Sequence, residues 1–187
     1  MRRQSMSPQR PPGLVECYWV LPGQFLAGEY PAHIERPQAI QRLDALLAAG
    51  LDSFFDLTEP GELQPYLPLL QQRASLKGSQ ISYQRFPIVD LGLPDRAGML
   101  ALLAAIESAL AHGRRIYAHC WGGIGRTGLT VGCFLVHRGY SGPQALKQIA
   151  AWRRSQGTLQ SIAESPETAE QIQFVLHWRE AAPVGKE

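Results

Sequence analysis

Residues 119–127 read His-Cys-Trp-Gly-Gly-Ile-Gly-Arg-Thr (HCWGGIGRT). The six residues before the cysteine, Arg114 to His119 (RRIYAH), have the apolar-polar run of a strand, and from Arg126 onward RTGLTVGCFLVHRG reads as a helix. The stretch therefore places Cys120 in a tight glycine-rich loop between the end of a strand and the start of a helix. The first backbone N–H groups of a helix lack internal partners, and with the positive end of the dipole they can hold an anion. The same field favours the thiolate of Cys120 near neutral pH.

Gly122, Gly123 and Gly125 let the backbone come close to an oxyanion, so Trp121, Gly122, Gly123, Ile124 and Gly125 form a nest of N–H donors completed by the fork of Arg126. That guanidinium can take two phosphate oxygens at once and matches the charge spread over equatorial oxygens during phosphoryl transfer. Thr127 can donate its hydroxyl to the Cys120 sulfur and ease its departure, and His119 orients the loop through backbone bonds. The bland reading makes Cys120 a buried strand-end cysteine and the glycines an ordinary turn, which requires several independent features to coincide.

The loop resembles the signature of the cysteine-dependent protein tyrosine and dual-specificity phosphatases: His-Cys, five residues, then Arg and Ser or Thr. Every signature position matches. The resemblance implies a phosphocysteine intermediate at Cys120, phosphate binding by Arg126, a general acid on an upstream loop, and no cofactor or metal. Upstream, FPIVDLGLPD (Phe86 to Asp95) follows a strand-like ISYQRF and precedes a helical RAGMLALLAAIESALAHG. Asp90 lies thirty residues before Cys120, a separation similar to that of the acid in phosphatases related to the cyclin-dependent-kinase-associated phosphatase. Asp90 is therefore expected to protonate the leaving oxygen and then deprotonate the hydrolytic water. Asp95 is the alternative acid, but an Asp after Pro94 is also a common N-cap.

The resemblance runs from about Tyr18 to Trp178. The Trp-Gly-Gly after Cys120 is similar to the cyclin-dependent-kinase-associated branch. Trp121 and Ile124 stand where phosphoinositide phosphatases commonly carry lysines, which argues for phosphoprotein over polyphosphate lipid. SPETAEQIQFVLHWRE, from Ser165, resembles a helix whose glutamines position the hydrolytic water in this superfamily. Gln171 falls at the second such position, whereas Glu167 replaces the first and weakens a strict tyrosine specificity. Gln171 as a solvated helix position is the competing reading. In SFFDLTEPGE (Ser53 to Glu62), Phe54, Phe55 and Leu57 read as core, and Asp56, Thr58 and Glu59 as cap and turn groups. Arg153 and Arg154 end a helix, where they either complement its dipole or meet substrate.

Short strands near Tyr18, Phe25, Phe54, Tyr83 and Ile116 alternate with helices near Arg36 to Ala49, Arg96 to His112, Arg126 to Arg138, Pro143 to Arg154 and Pro166 to Arg179. This order predicts an α/β fold, a central mostly parallel sheet flanked by helices, similar to the protein tyrosine phosphatase fold, with the loop at the C-terminal end of a strand. The chain of 187 residues, 45% hydrophobic, suffices for one substantial core. A single domain is expected over residues 14–180, with a flexible proline-rich arm at 1–13 and a frayed terminus at 181–187.

A net charge of +2 lacks the footprint of a nucleic-acid binder. The longest apolar run, MLALLAAI, is too short to cross a bilayer, and no apolar core of signal-peptide length follows the basic start. Three cysteines without paired spacing build neither a disulfide framework nor a zinc site and suit a reducing cytoplasm. Cys133 reads as a small buried apolar group; Cys17 is a remote candidate for capping an oxidised Cys120. The expected protein is a cytoplasmic monomer, a phosphatase of phosphorylated proteins or peptides, with no nucleic-acid partner and no membrane insertion. A phosphatase of inositol phosphates or other non-protein phosphates, a phosphate-binding pseudophosphatase and a rhodanese-type sulfurtransferase are the alternatives.

Overall fold

A computed structural model of the chain describes residues 9–158 and 164–179. Five strands form one sheet: β1 (Cys17–Leu21), β2 (Phe25–Gly28), β3 (Ser53–Asp56), β4 (Ser82–Arg85) and β5 (Ile116–His119), in the order β1-β2-β5-β3-β4. Only the β1–β2 hairpin, turned by Pro22-Gly23, is antiparallel; β2 and β3 flank β5 in parallel, and β4 pairs in parallel with β3. The mostly parallel sheet expected from the α/β alternation is thus present. In this register Gly28 and Asp56 both lie opposite His119, so the three strands end together and Cys120 emerges at their C-terminal edge.

The pleat sorts side chains onto the two faces. Ile116 and Ala118 of β5, Phe55 of β3 and Tyr18 and Val20 of β1 join one core with α3 (Arg96–Ala111), α4 (Gly125–His137), α5 (Gly142–Ser155) and α6 (Ala169–His177). Tyr117, Phe54, Cys17 and Trp19 join the other with α1 (Arg36–Ala48) and α2 (Leu67–Leu76). Apolar burial on both faces is what makes the inner strands nearly continuous hydrophobic runs. Helix α4 is buried from Gly125 to Leu135 and runs directly behind the loop. A Cβ on its Gly132 would stand 2.6 Å from Val175 of α6, so the missing side chain lets the two helices close together.

The expected strands all occur, and five of the six helices lie near their expected spans; α2 was not anticipated. Its sequence LPLLQQRASL carries Pro68 in the first turn, where the absent N–H has no helical partner to lose. Asp95 caps α3 by accepting a hydrogen bond from the Gly98 N–H at 2.6 Å. Residues 1–8 of the expected arm and 180–187 of the expected frayed end lie outside the described residues. Within 9–13, Pro11 is buried, the Gln9 carbonyl accepts from Trp19 Nε1 at 3.3 Å, and Arg10 donates to the carbonyls of Val15 and Gly157 at 2.9 and 2.7 Å. That part of the arm is fastened to the domain by side-chain contacts a composition reading does not register.

Candidate active site

Cys120 follows β5 directly, is 3% exposed, and has the Thr127 hydroxyl 3.0 Å from its sulfur. The same hydroxyl is 3.2 Å from the Gly28 carbonyl, the other acceptor for its single proton. The loop is clamped to the segment just past β2: the Tyr30 N–H donates to the Trp121 carbonyl at 2.8 Å. Gly123 adopts φ 72°, and a Cβ there would lie 2.6 Å from the Gly28 backbone. Only glycine allows that conformation and that approach together.

Arg126, one residue into α4, is 1% exposed. Its two terminal nitrogens donate to the two Glu62 carboxylate oxygens, each at 2.7 Å, and one also donates to the Ile88 carbonyl at 3.1 Å. The Asp90 carboxylate stands 3.0 Å from the other. The Arg126 guanidinium holds the Glu62 carboxyl below the usual carboxylate range. Arg126 Nε is buried with no acceptor among the described residues. Asp90 sits in a turn in which the Gly92 N–H donates to the Val89 carbonyl at 2.9 Å and Leu91 takes φ 57°. The turn leaves its side chain half exposed beside the loop.

The structure thus brings Cys120, Arg126, Thr127 and Asp90 together. Asp95 faces its own helix as a cap. Glu62 and Tyr66 belong to the same constellation and were not singled out by the sequence. Glu62 follows a glycine turn after β3, where an acidic residue reads as solvated; only the fold carries it to Arg126.

His119 is buried among Tyr30, Tyr66 and Tyr117. The Tyr66 hydroxyl lies 2.7 Å from its Nε2 and the Cys120 carbonyl 3.3 Å from its Nδ1. The pattern fits a neutral ring that donates from Nδ1 and accepts at Nε2. Burial pushes the imidazole down to about 4, against the opposing pull of the Asp56 carboxylate. Unfolding releases a histidine of ordinary affinity, so the unfolded chain binds the extra proton between about pH 6.5 and 4. Stability contributed by neutral His119 is therefore full above that window and declines as pH falls through it. Urea midpoints measured at pH 7, 5.5 and 4.5 should fall in that order, with a shallower decline in His119→Asn; parallel declines would refute the assignment.

Asp56, Thr58 and Glu59 behave as cap and turn groups. Asp56 accepts from Thr58 N and Oγ1 at 2.9 and 2.6 Å and from Tyr83 and Arg85, and the Glu59 N–H donates to Glu62 at 2.9 Å. Two expectations are corrected. Gln171 is not a solvated helix position: it is fully buried, its Oε1 accepts from the N–H groups of Glu167 and Thr168, and its Nε2 donates to the Gly92 carbonyl at 3.0 Å. It caps α6 and ties that helix to the Asp90 loop. Arg153 is 1% exposed and paired with Glu16 at 3.3 Å, so it faces the interior and not substrate. Cys17 and Cys133 are buried, and burial pushes the Cys17 thiol up to about 12 and the Cys133 thiol higher still.

A cysteine under a glycine-rich loop at a helix start, an arginine in the first turn of that helix and a carboxylate on the facing loop thus stand together at the C-terminal edge of a mostly parallel sheet. The particular family follows from comparison with known sequences. The family model "PTP-SAK: Swiss Army Knife protein, DSP-PTPase phosphatase domain" matches residues 15–175, and the chain belongs to this family. The chain is 30% identical over 128 residues to cyclin-dependent kinase inhibitor 3 of Homo sapiens, a match covering 65% of this chain and 57% of that protein. It therefore spans little more than half the length of that relative. Among solved structures, Tk-PTP in its active form matches with 27% identity and a TM-score of 0.64, covering 82% of this chain and 88% of that one. Kinase-associated phosphatase with its catalytic-site cysteine changed to serine shares the fold, with 23% identity, a TM-score of 0.65 and coverage of 81% and 83%.

Proposed function

We propose that this protein hydrolyses phosphomonoesters on tyrosine and on serine or threonine side chains of proteins, through a phosphocysteine at Cys120. The observation that carries the reading is the buried Arg126 fork, whose Nε has no acceptor among the described residues although Glu62 holds the outer nitrogens. A buried donor without a partner costs about 1–3 kcal/mol, which an incoming phosphate oxygen recovers. The Cys120 thiolate attacks phosphorus, the bond to the leaving oxygen breaks, and Asp90 gives that oxygen its proton. Asp90, now a carboxylate, takes a proton from water as the hydroxide oxygen bonds to phosphorus; the P–S bond breaks and the electron pair returns to sulfur. The Thr127 hydroxyl, 3.0 Å from that sulfur, supports the departing thiolate.

The protein substrate is favoured over a polyphosphate lipid because Trp121 and Ile124 supply no cation where extra phosphates would need one. The name of the human relative, which is a protein of kinase regulation, agrees with this direction. No helix among the described residues is long and apolar enough to cross a membrane. A cytoplasmic, monomeric enzyme without a metal or cofactor is the simplest form of this proposal.

Asp90→Asn tests the assignment. Turnover of phosphotyrosine and phosphoserine peptides should fall by about 10²–10⁴-fold, while p-nitrophenyl phosphate, whose leaving group needs no proton, loses much less. Asp95→Asn keeps a good helix cap and should leave both rates nearly intact. If the large, leaving-group-dependent loss appears in Asp95→Asn instead, the acid is misassigned. Release from inositol phosphates alone, with none from the peptides, would overturn the protein substrate.

A further inference from the structure

Large apolar side chains left exposed by the fold gather around the mouth of the phosphate loop. Ile34 is 92% exposed and Trp121 61%. Both line a cleft of about 780 Å³ that begins at Trp121 and Gly122 and runs between residues 29–34 and Leu63-Gln64, with Val15 on its wall. On the acid loop, Val89 and Leu91 are exposed on either side of Asp90, and Leu93 follows. Contiguous exposed apolar surface marks a place where something else is bound.

The charges of the cleft are already engaged. Arg42 faces Glu29 at 3.5 Å and the carbonyls of Tyr30 and Ala32, and Glu29 accepts from the N–H groups of Val15 and Glu16 at 2.6 and 3.1 Å. His33 Nδ1 accepts from the Glu35 N–H. A second phosphate entering the cleft would meet no uncommitted arginine or lysine there. A neutral apolar group would meet Ile34, Trp121, Leu63 and Val15 and lose its contact with water.

We propose that this cleft is a recognition subsite for one large apolar side chain close in sequence to the phosphorylated residue of a protein substrate. The inference rests on the phosphoprotein reading above and adds a selectivity to it. The cleft is continuous with the phosphate loop, since Trp121 and Gly122 belong to both, so a chain whose phosphate lies in the loop passes directly over it. An anionic bilayer is a poorer match. Carboxylates stand at the mouth, with Glu62 and Asp90 on Arg126 and the Glu167 carboxylate against Gly125, and they give a negative surface no ion pairs.

The experiment uses the full chain and matched phosphotyrosine peptides that differ only in leucine or serine beside the phosphotyrosine, with p-nitrophenyl phosphate as a substrate too short to enter the cleft. The leucine peptides should be favoured in kcat/KM by about tenfold, the usual scale for filling an apolar pocket. Ile34→Asp, at a position whose exposure removes any folding burden, should reduce the preference to near unity and leave p-nitrophenyl phosphate turnover unchanged. Its melting temperature, unchanged from wild type, verifies the fold. Absence of a preference in the wild type, or equal loss on peptide and p-nitrophenyl phosphate, overturns the subsite. Hydrolysis of phosphatidylinositol phosphate vesicles that depends on Ile34 while the peptide preference does not would make the cleft a lipid surface and overturn it as well. If the wild type turns over p-nitrophenyl phosphate but no peptide, the phosphoprotein reading itself fails; if it cleaves peptides without discrimination, only the subsite does.

Discussion

Cys120→Ser should lower turnover of every phosphomonoester by about 10⁵-fold or more while leaving the fold intact. Serine is close to cysteine in shape, and the position is 3% exposed with the Thr127 hydroxyl 3.0 Å from the sulfur. What changes is the nucleophile. A serine hydroxyl stays protonated at neutral pH, and the nearest imidazole cannot act as its base: His119 is buried, and its nitrogens face the Tyr66 hydroxyl and the Cys120 carbonyl. Cys17 and Cys133, buried with their thiols pushed up, provide no substitute. Rapid quench followed by mass spectrometry should find one added phosphoryl group on the Cys120 peptide of the wild type and none in the variant. Appreciable steady-state turnover by the serine variant would refute a phosphocysteine route.

The second large effect is expected at Arg126→Lys. Lysine keeps the charge but loses the fork, so it cannot take Glu62 through two nitrogens and also present a third to phosphate. The fall in kcat/KM should be about 10³-fold, within the range found when an arginine is withdrawn from a phosphoryl-transfer transition state. Competitive inhibition by orthovanadate should weaken in parallel, because the same fork holds the transition-state mimic. Glu62→Gln alone should cost less, and combining it with Arg126→Lys should add almost nothing, since both act through one hydrogen-bonded unit. Additive losses would separate the two residues and overturn the view that Glu62 works by orienting Arg126.

The parts that were legible from sequence share one property: they are local. HCWGGIGRT carries its strand, its turn and its helix start within a few residues, and every chemical group it needs is contiguous. The strand positions follow from β-branched and aromatic runs, and the Asp95 cap from its place after Pro94. The features that escaped depend on where distant segments meet. Glu62 and Arg126 are far apart in the chain and come together only because β3 and β5 lie side by side and end together. Gln171 gave a polar residue on an amphipathic helix, and no local rule says that its amide ends in the Asp90 loop. Arg153 reads as an exposed helix terminus until β1 brings Glu16 beneath it. Helix α2 buries only Leu70 and Ala74, too few to set up a clear 3.6-residue period with Pro68 in its first turn.

The ion pair between Asp90 and Arg126 makes phosphate binding an exchange of one anion for another. The guanidinium is already neutralised by two carboxylates, so the affinity for a phosphomonoester is a difference between ion pairs and not the full strength of either. A weakly charged oxyanion has little to offer in that trade, whereas a phosphate dianion displaces the half-exposed Asp90 carboxylate. The displaced carboxylate, once it has taken up a proton from solvent, can turn to the leaving-group oxygen and donate that proton to it. Substrate arrival and release of the acid become a single event, and a vanadate complex should accordingly place Asp90 beyond contact with Arg126.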